Sequence, residues 1–143
     1  MRTRRKRLKT LLVVDDEESE RSIARRILQS EGCTVLEADS YKNALTVFEQ
    51  NRQGVDLLIA DLSLPDGNGC ELALTMQQEN PDLRVLFVSG HVGAEVCRFY
   101  GLDVTDLHFL SKPFQPAELV NSVRRVFAAS MPFPRMVPKT RTA

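Results

Sequence analysis

Leu11-Leu12-Val13-Val14-Asp15-Asp16 carries four apolar residues straight into two acids, and the same change of character comes twice more. Asp56-Leu57-Leu58-Ile59-Ala60 runs into Asp61, and Leu107-His108-Phe109-Leu110 runs into Ser111-Lys112-Pro113. If the three runs are parallel strands of one sheet, three carboxylates and one ammonium converge at its carboxyl edge. Open α/β sheets hold their ligands at that edge. Carboxylates gathered within a few Å repel one another, and at an effective dielectric of ~20 each close pair costs roughly 4 kcal/mol before compensation. A hard divalent cation is the natural compensation. Mg²⁺ suits best, because it takes one or two carboxylates, keeps several waters and leaves positions open for phosphate oxygens.

Outward from these runs, Ser19 is expected to cap an amphipathic helix with Ile23, Ile27 and Leu28 on one face and Arg21, Arg25 and Arg26 elsewhere. Gly32 closes it. Residues 33–38 read as a second strand, and Ser40 opens a helix carrying Ala44, Leu45, Val47 and Phe48, stopped at Gly54. The third strand, residues 55–60, leads into a loop over 62–69 with strong Pro and Gly turn signals, then a helix over about 70–79. Residues 84–88 form the fourth strand, ending at Ser89-Gly90. Residues 92–100 place Val96, Phe99 and Tyr100 at helical spacing, although Gly93 and Gly101 make this helix short. After the fifth strand, 107–110, Pro116 opens a last helix bearing Leu119, Val120, Val123, Val126 and Phe127.

Five apolar strands alternating with five helices signify a parallel sheet covered on both faces. With right-handed crossovers, the solution at this size is the doubly wound, flavodoxin-like α/β fold with strand order 2-1-3-4-5. Strands 1 and 3 are then neighbours, so Asp15, Asp16 and Asp61 meet, while strands 4 and 5 bring Ser89 and Lys112 to the same edge.

The length of 143 residues fits one domain. A formal charge of zero hides an uneven distribution: residues 1–9 carry six positive charges, residues 131–143 three, and residues 10–130 ten basic against nineteen acidic side chains. The expected organisation is a basic flexible arm over 1–9, a folded domain over 10–129 and a Pro-containing flexible tail over 130–143. Cys33, Cys70 and Cys97 are odd in number and widely spaced, which points to free thiols in a reducing cytoplasm. The apolar run after the arm is too short for an export signal or a membrane span. The arm is the one feature suited to nucleic acid or an acidic partner, and a solvated solubility arm is the commoner case.

Four pieces, LLVVDDEE (11–18), LLIADLSLPDGNG (57–69), VLFVSGH (85–91) and FLSKPF (109–114), stand in the order and separations of the receiver domain of two-component response regulators. The resemblance spans roughly residues 10–129, and the last two pieces are similar to receivers attached to hybrid sensor kinases. It implies that Asp61 is the phosphoacceptor, taking a phosphoryl group from a phosphohistidine on a sensor histidine kinase or histidine phosphotransfer protein. It further implies that Asp16 binds Mg²⁺ directly, Asp15 mainly through water, and Asp61 and the Ser63 backbone carbonyl complete the protein's ligands. Lys112 would pair with the phosphoryl oxygens and Ser89 would donate a hydroxyl hydrogen bond to one of them. Such a division agrees with phosphoryl transfer, where the protein supplies position and countercharge. Pro113 resembles the family's cis Lys-Pro position. Phe109, three residues before Lys112, takes the place of the switch aromatic, without the phenolic hydroxyl many members have. Ser63 and His91 match positions that tune phosphoryl lifetime.

Taken singly, these residues have ordinary readings. Asp15 and Asp16 resemble helix-capping acids, Ser89 a turn residue and Phe109 a core aromatic. His91 and His108 lack metal-ligand spacing. The joint arrangement of Asp15, Asp16, Asp61 and Lys112 favours function. No G-x-x-x-x-G-K-[ST] occurs, which excludes a P-loop nucleotide site, and Gly67-Asn68-Gly69 lacks the third glycine of a dinucleotide fingerprint. The expectation is a stand-alone, cytoplasmic phosphoacceptor switch acting through an unidentified downstream protein, with self-phosphorylation and slow autodephosphorylation but no metabolite turned over. A phosphorylation-independent adaptor on the same fold is the alternative. A phosphohydrolase is disfavoured because Ser63 stands where such enzymes place a second Asp.

Overall fold

The structure, a computed structural model, describes residues 8–51, 54–90, 98 and 107–129. The helix expected over 92–100, His91, Cys97, most of the basic arm and the tail from residue 130 lie outside the described residues. In chain order the elements are β1 (Thr10–Val14), α1 (Glu18–Ser30), β2 (Thr34–Ala38), α2 (Tyr41–Asn51), β3 (Leu57–Asp61), β4 (Ser63–Leu64), β5 (Gly67–Asn68), α3 (Gly69–Glu79), β6 (Arg84–Ser89), β7 (Phe109–Ser111) and α4 (Pro116–Ala128). The five main strands form a parallel sheet in the order β2-β1-β3-β6-β7. Counting main strands alone, that is the expected 2-1-3-4-5 order of the flavodoxin-like fold.

The central strands β1, β3 and β6 are apolar over residues 11–14, 57–60 and 85–88 because both faces are covered there. Leu12, Val14, Leu58, Ala60, Val85 and Phe87 pack with Ala44, Phe48, Leu72 and Met76 of α2 and α3. The alternate residues Leu11, Val13, Leu57, Ile59, Leu86 and Val88 pack with Ala24, Leu28, Leu119, Val123 and Val126 of α1 and α4. A one-residue slip would exchange the two layers, so burial fixes the register. Val14 pairs with Ala60, Asp61 with Val88, and Ser89 with Ser111. Asp15, Asp61, Ser89 and Lys112 therefore reach one edge together.

Several boundaries differ from the sequence reading. Helix α1 begins at Glu18 after the extended residue Glu17, so Ser19 lies inside the first turn and is not the cap. The turn is made instead by Asp15, whose Oδ1 accepts the Glu17 N–H at 2.9 Å. Ile23 is 53% exposed. The buried stripe is Ala24 and Leu28, one helical turn apart, with Ile27 half-buried beside it. Strand β3 runs one residue further than expected, and β7 starts at Phe109, where pairing with Phe87 begins. The loop after β3 contains a short antiparallel ladder, Ser63 with Asn68 and Leu64 with Gly67.

Helix ends follow local chemistry. Gly32, at φ +90°, ends the α1 turn in a conformation that favours glycine. The N-terminus of α2 is capped from a distance, Asp66 accepting the Tyr41 and Lys42 N–H groups at 2.7 and 3.0 Å. Asn68 caps α3 by accepting from the Glu71 N–H. Pro116 opens α4, and the Gln115 N–H reaches back to Glu118 Oε1 at 2.7 Å. Lys112-Pro113 is cis, as the resemblance implied. Cys70 is buried and Cys33 half-buried, and neither is in a disulfide. Among the described residues no helix is long and apolar enough to cross a membrane.

Candidate functional site

Asp15 follows β1 directly, Asp61 ends β3, and both stand at the boundary where the two core layers give out. Together with Asp16 they bring one carboxylate oxygen each to within 4.8 Å of one another. The spacing is near the ~4 Å that separates opposite ligands of a six-coordinate Mg²⁺. Lys112, just beyond β7, reaches across the edge. Its Nζ donates to Asp61 Oδ2 at 2.6 Å, Asp15 Oδ2 at 2.9 Å and Glu20 Oε2 at 2.6 Å.

Each acid has its own setting. Asp15 is buried, with Oδ1 taken by Glu17 and Oδ2 by Lys112, while Asp16 is exposed and Asp61 intermediate. The Ser63 N–H donates to Asp61 Oδ1 at 2.9 Å and holds the carboxylate in its plane. Burial pushes the Asp15 carboxyl above the ordinary carboxylate range, against the Glu17 and Lys112 hydrogen bonds that pull it down; the Asp61 charge adds to the rise. Burial also opposes the charge on Lys112, but its bonds to Asp61, Glu20 and Asp15 outweigh that and hold its pKa above the ordinary lysine value.

The donor set is hard oxygen throughout and carries more negative charge than one ammonium offsets. Such a set fits a hard divalent cation better than a soft one. Asp16, exposed and outside the lysine's reach in the hydrogen-bond network, is the carboxylate best placed to meet an incoming ion directly. Asp15 and Asp61 each already accept two donors, and Asp15 is the more buried of the two.

Of the remaining expected residues, Ser89 ends β6, and its backbone carbonyl accepts the Lys112 N–H at 2.9 Å. Phe109 stands one strand over, its ring tilted against Phe87 at 5.7 Å between centroids. It is half-buried against the α2–α3 layer. His108 is part-buried; desolvation, with the Arg125 and Arg84 charges, pushes its pKa down, and it takes no part in the acidic cluster.

Two contributors escape the sequence reading. Glu20 joins the lysine from the first turn of α1, a turn whose start the Ser19 assignment had misplaced. Gly69 supports Asp61 from below: a Cβ there would lie 2.6 Å from the Asp61 carbonyl oxygen and 3.3 Å from Ala60 Cβ. The paired glycines after Pro65 were the available signal for so close a backbone approach.

Known proteins agree with this geometry. The family model of the response regulator receiver domain matches residues 11–124. The chain is 34% identical over 117 residues to sensor kinase CckA of Brucella abortus, covering 82% of this chain and 12% of that protein. It is 34% identical over 130 residues to transcriptional regulatory protein CreB of Escherichia coli, covering 87% of this chain and 55% of that protein. The chain thus spans a small part of the kinase and about half of the regulator. Among solved structures, the receiver domain of hybrid histidine kinase CckA superposes with a TM-score of 0.67 at 32% identity, covering 81% of this chain and 96% of that one.

Proposed function

Because the chain belongs to the response regulator receiver domain family, we propose that it is a Mg²⁺-dependent phosphoacceptor whose nucleophile is Asp61. The observation that carries this reading is the meeting of Asp15, Asp16 and Asp61 within 4.8 Å, with the Lys112 ammonium 2.6 Å from Asp61. The donor is a phosphohistidine of a sensor histidine kinase or phosphotransfer protein. An Asp61 carboxylate oxygen attacks phosphorus, the P–N bond breaks, and its electron pair returns to the histidine nitrogen, which takes up a proton. Mg²⁺, held by Asp16, Asp61, the Ser63 carbonyl and more loosely Asp15, would neutralise charge on the transferring phosphoryl oxygens.

The chain's own residues do the rest. Ser63 N–H keeps the Asp61 carboxylate oriented, which lowers the entropic cost of attack. Lys112 supplies a countercharge for the equatorial oxygens, and Ser89 donates its hydroxyl to one of them. Phe109 follows Ser89 by repacking against Phe87. The switch changes protein contacts, in the cytoplasm, from a domain over residues 10–129 flanked by a basic arm and a tail. Self-phosphorylation and slow dephosphorylation are its only chemistry.

The test uses the full chain, a small acyl-phosphate donor and intact-mass analysis. One base-labile phosphoryl group should appear with Mg²⁺, and none after chelation, with Asp16→Ala or with Asp61→Asn. Undiminished modification of Asp61→Asn would sink the assignment.

A further inference from the structure

Glu20 lies as close to the Lys112 ammonium as Asp61 does, at 2.6 Å. An ammonium has three protons, and here Asp15, Asp61 and Glu20 take one each. Two of those acceptors belong to the carboxylate trio that would receive a metal. The third does not. Glu20 stands on the first turn of α1 with its side chain 43% exposed, whereas the Lys112 side chain is 16% exposed.

A cation entering among Asp15, Asp16 and Asp61 draws on oxygens that Lys112 now holds, and it repels the ammonium. Without another acceptor, lysine and metal compete for the same two carboxylates. Glu20 is the acceptor that such a cation leaves untouched. Its place is set by the fold, because α1 starts where the Glu17 N–H bonds to Asp15, so Glu20 and Asp15 approach the lysine from one rigid turn. Length matters as well. A side chain one C–C bond shorter would fall short by up to ~1.5 Å, beyond hydrogen-bond range.

Resting on the metal-site reading above, we infer that Glu20 is a positioning residue that shares the Lys112 ammonium with Asp15 and Asp61 and retains it when a metal ion draws on those two carboxylates. It acts on the metal through the lysine. Removing it leaves the ammonium with Asp15 and Asp61 alone, where it competes with Mg²⁺.

The experiment is a calorimetric Mg²⁺ titration of the full chain, needing no phosphoryl donor. Glu20→Gln keeps the length and loses the charge; Glu20→Asp keeps the charge and loses the reach. Both should weaken Mg²⁺ binding by about three- to tenfold, the range of directly contacting charged groups. The loss from Glu20→Gln should vanish when Lys112→Met is already present. A wild-type affinity for Glu20→Asp, or an equal loss in the Lys112→Met background, would show a diffuse charge effect and overturn the inference. Failure of the wild-type chain to bind Mg²⁺ would instead overturn the metal reading itself, and the Glu20 role with it.

Discussion

Helix α1 separates two ionic clusters of opposite balance. On one side Arg21 and Arg25 share the Glu37 carboxylate, at 3.2 and 3.1 Å, so two cations serve one acid. On the other, Lys112 alone among the described residues serves Asp15, Glu20 and Asp61, with Asp16 close by. The first cluster is structurally complete, and Arg21 spends a further donor on the Asp15 backbone carbonyl at 2.7 Å, tying β2, α1 and the turn together. The second has carboxylates in surplus at the edge of a parallel sheet. Ion pairs as such are common and say little about function. Surplus like charge gathered around a partly buried group needs a reason, and a cation with phosphoryl chemistry supplies one.

The comparison breaks most readily through Gly69→Ala, which adds no charge. The new Cβ would meet the Asp61 backbone oxygen at 2.6 Å, and backbone cannot swing aside as a side-chain tip can. Destabilisation of about 1–3 kcal/mol is expected in chemical denaturation, with slowed phosphorylation at Asp61. The Arg21–Glu37 side should be untouched.

Lys112→Ala removes the cation that, among the described residues, serves the surplus cluster. A loss of about 1–2 kcal/mol is expected in Mg²⁺-free buffer, less than for a fully buried pair because the lysine is partly solvated. Mg²⁺ should still bind, or bind more tightly, and should recover most of that loss. The pH dependence follows from the raised lysine pKa. A group raised on folding contributes fully below its ordinary value, here 10.5, and loses that contribution only as pH climbs through the higher folded value. The penalty measured for Lys112→Ala should therefore be flat across neutral pH and shrink only in strong alkali. Weaker Mg²⁺ binding in this variant would show that the lysine supports the metal site instead of competing with it.

Glu37→Gln sharpens the contrast from the complete side. Partly exposed pairs of this kind contribute about 0–1 kcal/mol, and the change should leave Mg²⁺ affinity as it was. A large stability loss would mean that the Arg21 tether to Asp15 depends on Glu37.

Much of this was legible in the chain because both core layers leave their mark on the strands. Leu11 to Val14 and Leu57 to Ala60 are apolar at every position, and the acids that end them announce the edge. Glu20 was not legible, because its partnership depends on helical phase. Placing the cap at Ser19 moved the helix start by two residues, and counting Ile23 as buried passed over Ala24, a small residue that contributes weakly to any apolar pattern. Gly69 escaped for another reason. Its role is an approach between backbone atoms of residues 69 and 61, which no side-chain periodicity records. The ladder of Ser63 and Leu64 with Asn68 and Gly67 was hidden by turn signals that fit an open loop equally well.

The measurement that bears most directly on the account is the position of the phosphoryl group. After treatment with an acyl-phosphate donor and Mg²⁺, borohydride reduction converts an aspartyl phosphate to homoserine, which peptide mass analysis can locate. The account predicts homoserine at position 61 alone. Homoserine at position 15, 16 or 66, with residue 61 still aspartate, would contradict it.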